Sequence, residues 1–257
     1  MVVVAGPQYP FAPQEAALLE NYLKSGGHLL LLLDPAITSG NPPAFEKTGL
    51  EALTRRWGIE LENDVVVDPK YGVPLLGAQD FLATRYSDSP VTRDLMTNNL
   101  RVLFSLARSL KVSSPGGKDV KNQFLVQSSM KAWGMTSLAH LENASKRPGD
   151  IAPPLTLAAA AWSTHKKAPA RLIVVGDSDF LGDSLVQSDA ANMLFAMNAV
   201  HWLLSQENQI AIPPKSVITT HLSISASQMR FLLILFVFLL PAVMVGTGVY
   251  IYFRRRH

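Results

Sequence analysis

Three carboxylates fall within seven residues of the segment Gly176-Asp177-Ser178-Asp179-Phe180-Leu181-Gly182-Asp183, directly after the apolar run Ala170 to Val175. Oxygen ligands at that density could hold a hard cation such as Mg²⁺ or Ca²⁺. Set against a calcium-binding loop, Asp177, Asp179 and Gly182 fall at positions 1, 3 and 6, but Leu181 stands at position 5. Ser188 stands where a bidentate glutamate would close the coordination, so the pattern fails at its last ligand. Ser178 approaches the nucleophile elbow G-x-S-x-G, yet Phe180 occupies the place of its second glycine. His28, His140, His165, His201 and His221 are scattered, with no i, i+4 pair and no H-E-x-x-H, so no base can be assigned. The plainer expectation is that Asp177 or Ser178 turns the chain at a strand end while Phe180 packs back. Asp34, Asp177, Ser178 and Asp179 stand as ligand-binding candidates, and no catalytic residue, metal ligand or cofactor is assigned.

Gly116-Gly117-Lys118-Asp119 lacks the first glycine of a phosphate-binding loop and the Ser or Thr after its lysine, and no G-x-G-x-x-G follows a strand. ATP hydrolysis, if the system uses it, belongs to another chain. The net charge of +3 is modest, and no basic stripe with interleaved aromatics calls for a nucleic-acid partner. The chain has no cysteine, which excludes disulfides, thiol nucleophiles and cysteine metal sites together.

Elements that could position these residues are legible as changes of period. Val2 to Ala5 is a short β-branched run, Pro13 opens a helical repeat that stops at Gly26-Gly27, and His28 to Leu33 is a continuous apolar run ended by Asp34-Pro35. Strand, helix, strand in that order predicts a βαβ unit with parallel strands. A helix is expected at Phe45 to Trp57 and a strand near Asp64 to Asp68. The stretch from Tyr71 to Lys167 is less regular, with strands expected at Arg101 to Phe104, Phe124 to Gln127 and Leu155 to Trp162. A strand at Ala170 to Val175 and a helix at Ala190 to Leu204 close the domain. The expected fold is therefore α/β, a mostly parallel flavodoxin-like sheet with flanking helices, in which ligands bind beyond the carboxyl ends of the strands. Gly6-Pro7-Gln8, Asp34, Asp68 and the loop from Gly176 to Asp183 all stand at such ends.

Twenty-three residues from Phe231 to Phe253 carry no charge, and fifteen of them are Leu, Ile, Val or Phe. As a helix they would extend roughly 35 Å against a hydrocarbon core of about 30 Å, so one C-terminal transmembrane helix is expected. Arg254, Arg255 and Arg256 follow at once, which by the positive-inside rule puts the C-terminus in the cytoplasm. The expected organisation is an extracytoplasmic α/β domain over 1–209, a proline-containing stalk over 210–230, the span at 231–253 and a basic tail at 254–257, in the cytoplasmic (inner) membrane. Met1-Val-Val-Val-Ala-Gly-Pro has neither the basic n-region nor the apolar length of an export signal, so an upstream segment with a first membrane helix is expected as well.

The order of segments resembles the GldG-like auxiliary proteins of ABC-type transport systems, first associated with gliding motility. The likeness is carried by Val4-Ala5-Gly6-Pro7, the Gly-Gly and Asp-Pro around the second strand, Gln127-Ser128-Ser129 with Trp133, and Val174 to Phe180 followed by Asn192 and the Asn198 to Trp202 helix. Gln228, the Pro241-containing span and the terminal arginines fit the family's closing helix. The resemblance implies a non-catalytic, membrane-anchored auxiliary subunit, able to handle substrate, working beside an ABC permease and a separate ATPase. It names no substrate. The alternatives are a membrane-anchored structural or receptor domain, or a metal-dependent hydrolase built on the Asp177 to Asp183 loop.

Overall fold

The computed structural model describes residues 1–38, 40, 43–73, 77–117, 119–138, 145–165, 169–183, 190–204, 231, 235–236 and 240–255. The chain divides into two compact units, residues 1–213 and 214–257.

In the first unit, β1 (Val2–Ala5) leads through α1 (Pro13–Lys24) to β2 (His28–Leu32), and the two strands pair in parallel as the sequence predicts. Pro13 opens α1 where a missing N–H costs least, and Glu15 reaches back to accept the Ala12 N–H at 2.8 Å. Further along come α2 (Glu51–Arg56), β3 (Ile59–Leu61), β4 (Val65–Val67), β5 (Gly72–Val73), β6 (Gly77–Ala83), β7 (Arg85–Tyr86), α3 (Arg93–Thr97) and β8 (Val102–Ser105). Then β9 (Leu110–Val112), β10 (Val120–Gln127), β11 (Trp133–Met135), β12 (Thr156–Ser163), β13 (Arg171–Val175) and α4 (Ala190–Leu203) follow among the described residues.

The main sheet runs β1-β2-β13-β12-β10-β7, with β9 joined to the start of β12 and β3 joined to β9. It is a mixed sheet, which corrects the expectation of mostly parallel strands. Only β1, β2 and β13 are parallel; β12, β10, β7, β9 and β3 pair antiparallel. For β12 and β13 the reason is local, since a parallel return needs a crossover of a dozen or more residues and the link from Ser163 to Arg171 is shorter than that. Nor does the expected strand at Asp64 to Asp68 join this sheet: β4 pairs with β11 in a separate two-stranded ribbon, while β5, β6 and β8 make a third sheet in the stretch read as irregular. The helix expected from Phe45 begins only at Glu51. Gly49 turns the chain at φ +82°, and the Glu51 carboxylate holds that turn by accepting the N–H and Oγ–H of Thr48.

Side chains alternate between two cores, as the two-residue period of strands requires. Leu29, Leu31, Leu172 and Val174 face α1 and α2, with Leu23, Leu53 and Trp57. Leu30, Leu32, Ile173 and Val175 face α4, with Phe195, Trp202 and Leu203. Ala158 to Ala161 of β12 are fully buried and alternate between the same two cores.

In the second unit, the structure describes the helix α5 (Leu240–Arg254), which carries Pro241. Thr247 satisfies its own hydroxyl by donating to the carbonyls of Val243 and Met244. Among the described residues no helix is long and apolar enough to cross a membrane. Much of the expected span before Leu240, the stalk at 210–230, and Arg256 lie outside the described residues.

Candidate functional site at the strand ends

The carboxyl ends of β1, β2 and β13 come together, and they bring together residues that are far apart in sequence. Gly6 donates its N–H to the Leu32 carbonyl, which holds the end of β1 beside β2. Asp34 follows β2 and Ser178 follows β13, and both oxygens of the Asp34 carboxylate are engaged by this one residue. Oδ1 accepts the Ser178 N–H and Oδ2 accepts its Oγ–H, each at 2.5 Å. Burial raises the pKa of Asp34 above the usual carboxylate range; the two bonds from Ser178 oppose that, the Asp179 charge adds to it, and Arg108 opposes it.

Asp177 is buried completely behind this pair. Its Oδ2 accepts the Ser105 N–H at 2.8 Å and its Oδ1 the Phe180 N–H at 3.1 Å. Burial pushes its pKa up to about 8, with the charge of Asp34 adding to the rise and the bond from Ser105 opposing it, so the group keeps its proton at neutral pH. Phe180 packs back from the loop into an aromatic row with Phe104 and Phe195, at centroid distances of 6.0 and 5.9 Å. Of the four candidates from the sequence, Asp179 is exposed, Asp34 and Ser178 are half-buried and Asp177 is buried.

Two participants are not evident from the motifs. Arg108 is 1% exposed, and its guanidinium donates to the Glu62 carbonyl through Nε (2.9 Å) and Nη2 (2.6 Å), to Asn63 Oδ1 (3.0 Å) and to the Asp34 carbonyl (3.4 Å). It ties the end of β2 to the end of β3; burial lowers its pKa, opposed by Asp64, Glu51 and Asp34. Gly176 accepts the Arg108 N–H at 2.7 Å, and a Cβ at that glycine would lie 2.1 Å from the Arg108 carbonyl oxygen. Only glycine allows so close an approach. A single cation in the mostly apolar and otherwise uncharged run from Val102 to Leu110 is the signal that could have found Arg108.

The Asp34–Ser178 arrangement recurs twice. Asp64 takes the Ser109 N–H and Oγ–H, both at 2.8 Å, on its two oxygens, and Asp68 takes those of Ser129 at the same distances. Asp64 and Asp68 are both fully buried, and burial raises the pKa of Asp64 to about 6 against the bonds from Ser109. Asp68, expected at a strand end, thus belongs to a separate clamp. Each acceptor is filled by a donor of the fold itself, and Ser178 Oγ gives its proton to a carboxylate and not to an imidazole. Among the described residues no three or more His, Asp or Glu stand together as a metal site. Cavities of about 340 and 410 Å³ are both lined by Phe124 and Gln127 of β10, and the second also by Glu62 and Ser109.

A family model described as "ABC-type uncharacterized transport system" matches residues 1–200, most of the chain. The chain belongs to this family. Membership makes it an auxiliary component of an ABC-type transport system. No curated protein matches it. A solved structure titled "mmIFT52 N-terminal domain" is similar in fold, with a TM-score of 0.54 and 18% identity over 79% of this chain and 76% of that one. At that identity the likeness bears on the fold alone.

Proposed function

We propose that the chain is a non-catalytic, membrane-anchored auxiliary subunit that works beside an ABC permease and a separate ATPase. The family match over residues 1–200 carries the reading. It is supported by the use of Asp34, Asp177 and Ser178 as latches between strand ends, which leaves neither an activated nucleophile nor an open set of cation ligands among them. In this reading residues 1–209 form an extracytoplasmic domain, 210–230 a stalk, 231–253 the membrane segment and Arg254 to Arg256 its cytoplasmic anchor. Asp179 and Asp183 are the exposed carboxylates of the strand-end loop available to a partner or transported ligand.

Affinity purification of the full chain in mild detergent is expected to bring down a polytopic permease and an ATPase, with no turnover by the chain alone. A chain that purifies by itself and hydrolyses a substrate would contradict the proposal. Because no native cysteine exists, Ser145→Cys and His257→Cys report sidedness to an impermeant thiol reagent without background. The first is expected to react from outside the cell and the second only after permeabilisation.

A further inference from the structure

β7 pairs with the outer edge of the main sheet only at the end of β10, where Arg85 faces Gln127 and Tyr86 faces Val126. The Tyr86 hydroxyl lies 2.8 Å from the Ala83 carbonyl and 3.0 Å from that of Leu100, and it accepts the Val102 N–H at 3.1 Å. The segment after α3 is thereby tied to β6 and β8. The cavity of about 340 Å³ at this corner is built on these fixed elements, and its volume lies within the roughly 300 to 1,000 Å³ usual for small-molecule sites. Leu95, Met96 and Phe124 give it apolar walls, while Thr84, Asn99 and Gln127 supply uncharged polar groups.

Arg85 is the one charged side chain of the lining, and among the described residues no carboxylate pairs with it. Two acids on the adjoining segment are engaged elsewhere: Asp88 pairs with Arg93 at 3.5 Å, and Asp94 accepts from the Asn198 amide at 3.4 Å. The cavity of about 410 Å³ that shares Phe124 and Gln127 differs in this respect, because Glu62 and Lys111 line it with opposite charges. Positive charge also extends beyond Arg85. Thr84 is hydrogen-bonded to the Tyr71 hydroxyl, as is Lys70, and the bond from Lys70 lowers the phenol's pKa, with Thr84 and the Arg101 charge adding to the effect and partial burial opposing it. Lys70 Nζ lies 4.9 Å from the Tyr71 ring centroid and the Arg101 guanidinium 5.8 Å, and neither cation has a carboxylate partner among the described residues. Unneutralised cations gathered beside a partly apolar cleft raise the local concentration of anions. We propose that the corner cavity between β7, α3 and β10 binds a small organic anion, its carboxylate or phosphate held by Arg85 and Asn99 and its apolar body against Leu95, Met96 and Phe124. Such a site requires no partner subunit, so it stands or falls apart from the transport reading.

The test uses the full chain in a non-ionic detergent and ligand-observed saturation-transfer NMR, with empty micelles as the blank. Benzoate and phenyl phosphate are the probes. At least one is expected to bind with a dissociation constant on the order of 1 mM or tighter, and the tighter of the two names the head group. Benzylammonium, benzyl alcohol and inorganic phosphate lack either the anion or the apolar body, and each is expected to bind at least about tenfold more weakly. Arg85→Gln and Met96→Glu are each expected to weaken the anion by about tenfold or more. Both positions are exposed, so the melting temperature should stay within about 2 °C of the parent. Lys111→Gln, in the neighbouring cavity, is expected to leave the affinity within about twofold. The absence of saturable binding by either anion overturns the site, as does equal binding of any of the three control compounds or a parent-like affinity in Arg85→Gln. Loss of binding in Lys111→Gln puts the ligand in the other cavity and overturns the proposal as well.

Discussion

The same pairing, an aspartate gripping both the N–H and the hydroxyl of one serine, works in two settings within this domain. At the end of the parallel strands Asp34 holds Ser178 in a half-buried position, whereas in the antiparallel part Asp64 holds Ser109 and Asp68 holds Ser129 with both acids fully buried. Identical bonds have different worth in the two places, because water can replace a lost partner at the strand ends and cannot do so in the core. The strand-end pair is a latch, and the buried pairs are fastenings on which the antiparallel part depends.

The largest effect that could break this contrast is Asp64→Ala. It strands the N–H and hydroxyl of Ser109 and removes the carboxylate that acts most strongly on buried Arg108, and a loss of about 3 to 5 kcal/mol is expected in denaturant titration. A loss below about 1 kcal/mol would place Asp64 with the surface pairs.

Next in size is the dependence on pH. Asp177 titrates near 8 and Asp64 near 6 in the fold, both above the value of about 4 in the unfolded chain. The fold therefore keeps protons that the unfolded chain has released, and stability is greatest below about pH 4 on this account and declines as pH rises through about 8, by up to about 1.4 kcal/mol per unit for each group. Asp177→Asn cannot ionise and should flatten the upper part of the decline; melting curves from pH 5 to pH 9 check it, and equal slopes in both proteins would exclude a neutral Asp177. Ser129→Ala removes one hydroxyl from a buried acceptor that keeps the backbone bond, with an expected cost of about 1 to 2 kcal/mol by the same titration. Ser178→Ala is smallest, about 1 kcal/mol or less. Should it match Ser129→Ala, the distinction between latch and fastening disappears.

What was legible in the sequence follows the same division. The parallel strands are continuous apolar runs closed by Asp-Pro or Gly-Asp, so β2, β13 and their end residues could be read directly, and the Asp34 and Ser178 that stand there do meet. In the antiparallel part the marks are weaker. β12 is built on alanines, β4 and β11 are three residues each, and β5 to β8 fall between short turns, so position gave strands without partners. The helix expected at Phe45 failed because the turn held by Glu51 competes with it, a contest visible only once Thr48 is seen in place. Asp64 and Asp68 were read as a strand's flanks because nothing in their own neighbourhood names Ser109 or Ser129, which lie far away in the chain.

The placement of β13 between β2 and β12 has a consequence for how the domain is made. His28 and Arg171 face each other across parallel strands yet stand roughly 140 residues apart, a long loop to close before the central contact forms. Leu29 to Leu33 must therefore wait, apolar and uncovered on one flank, until nearly the whole domain has been synthesised. During that interval this run is a natural handhold for a chaperone, and the rate at which the domain matures is set by the arrival of a five-residue strand close to its end.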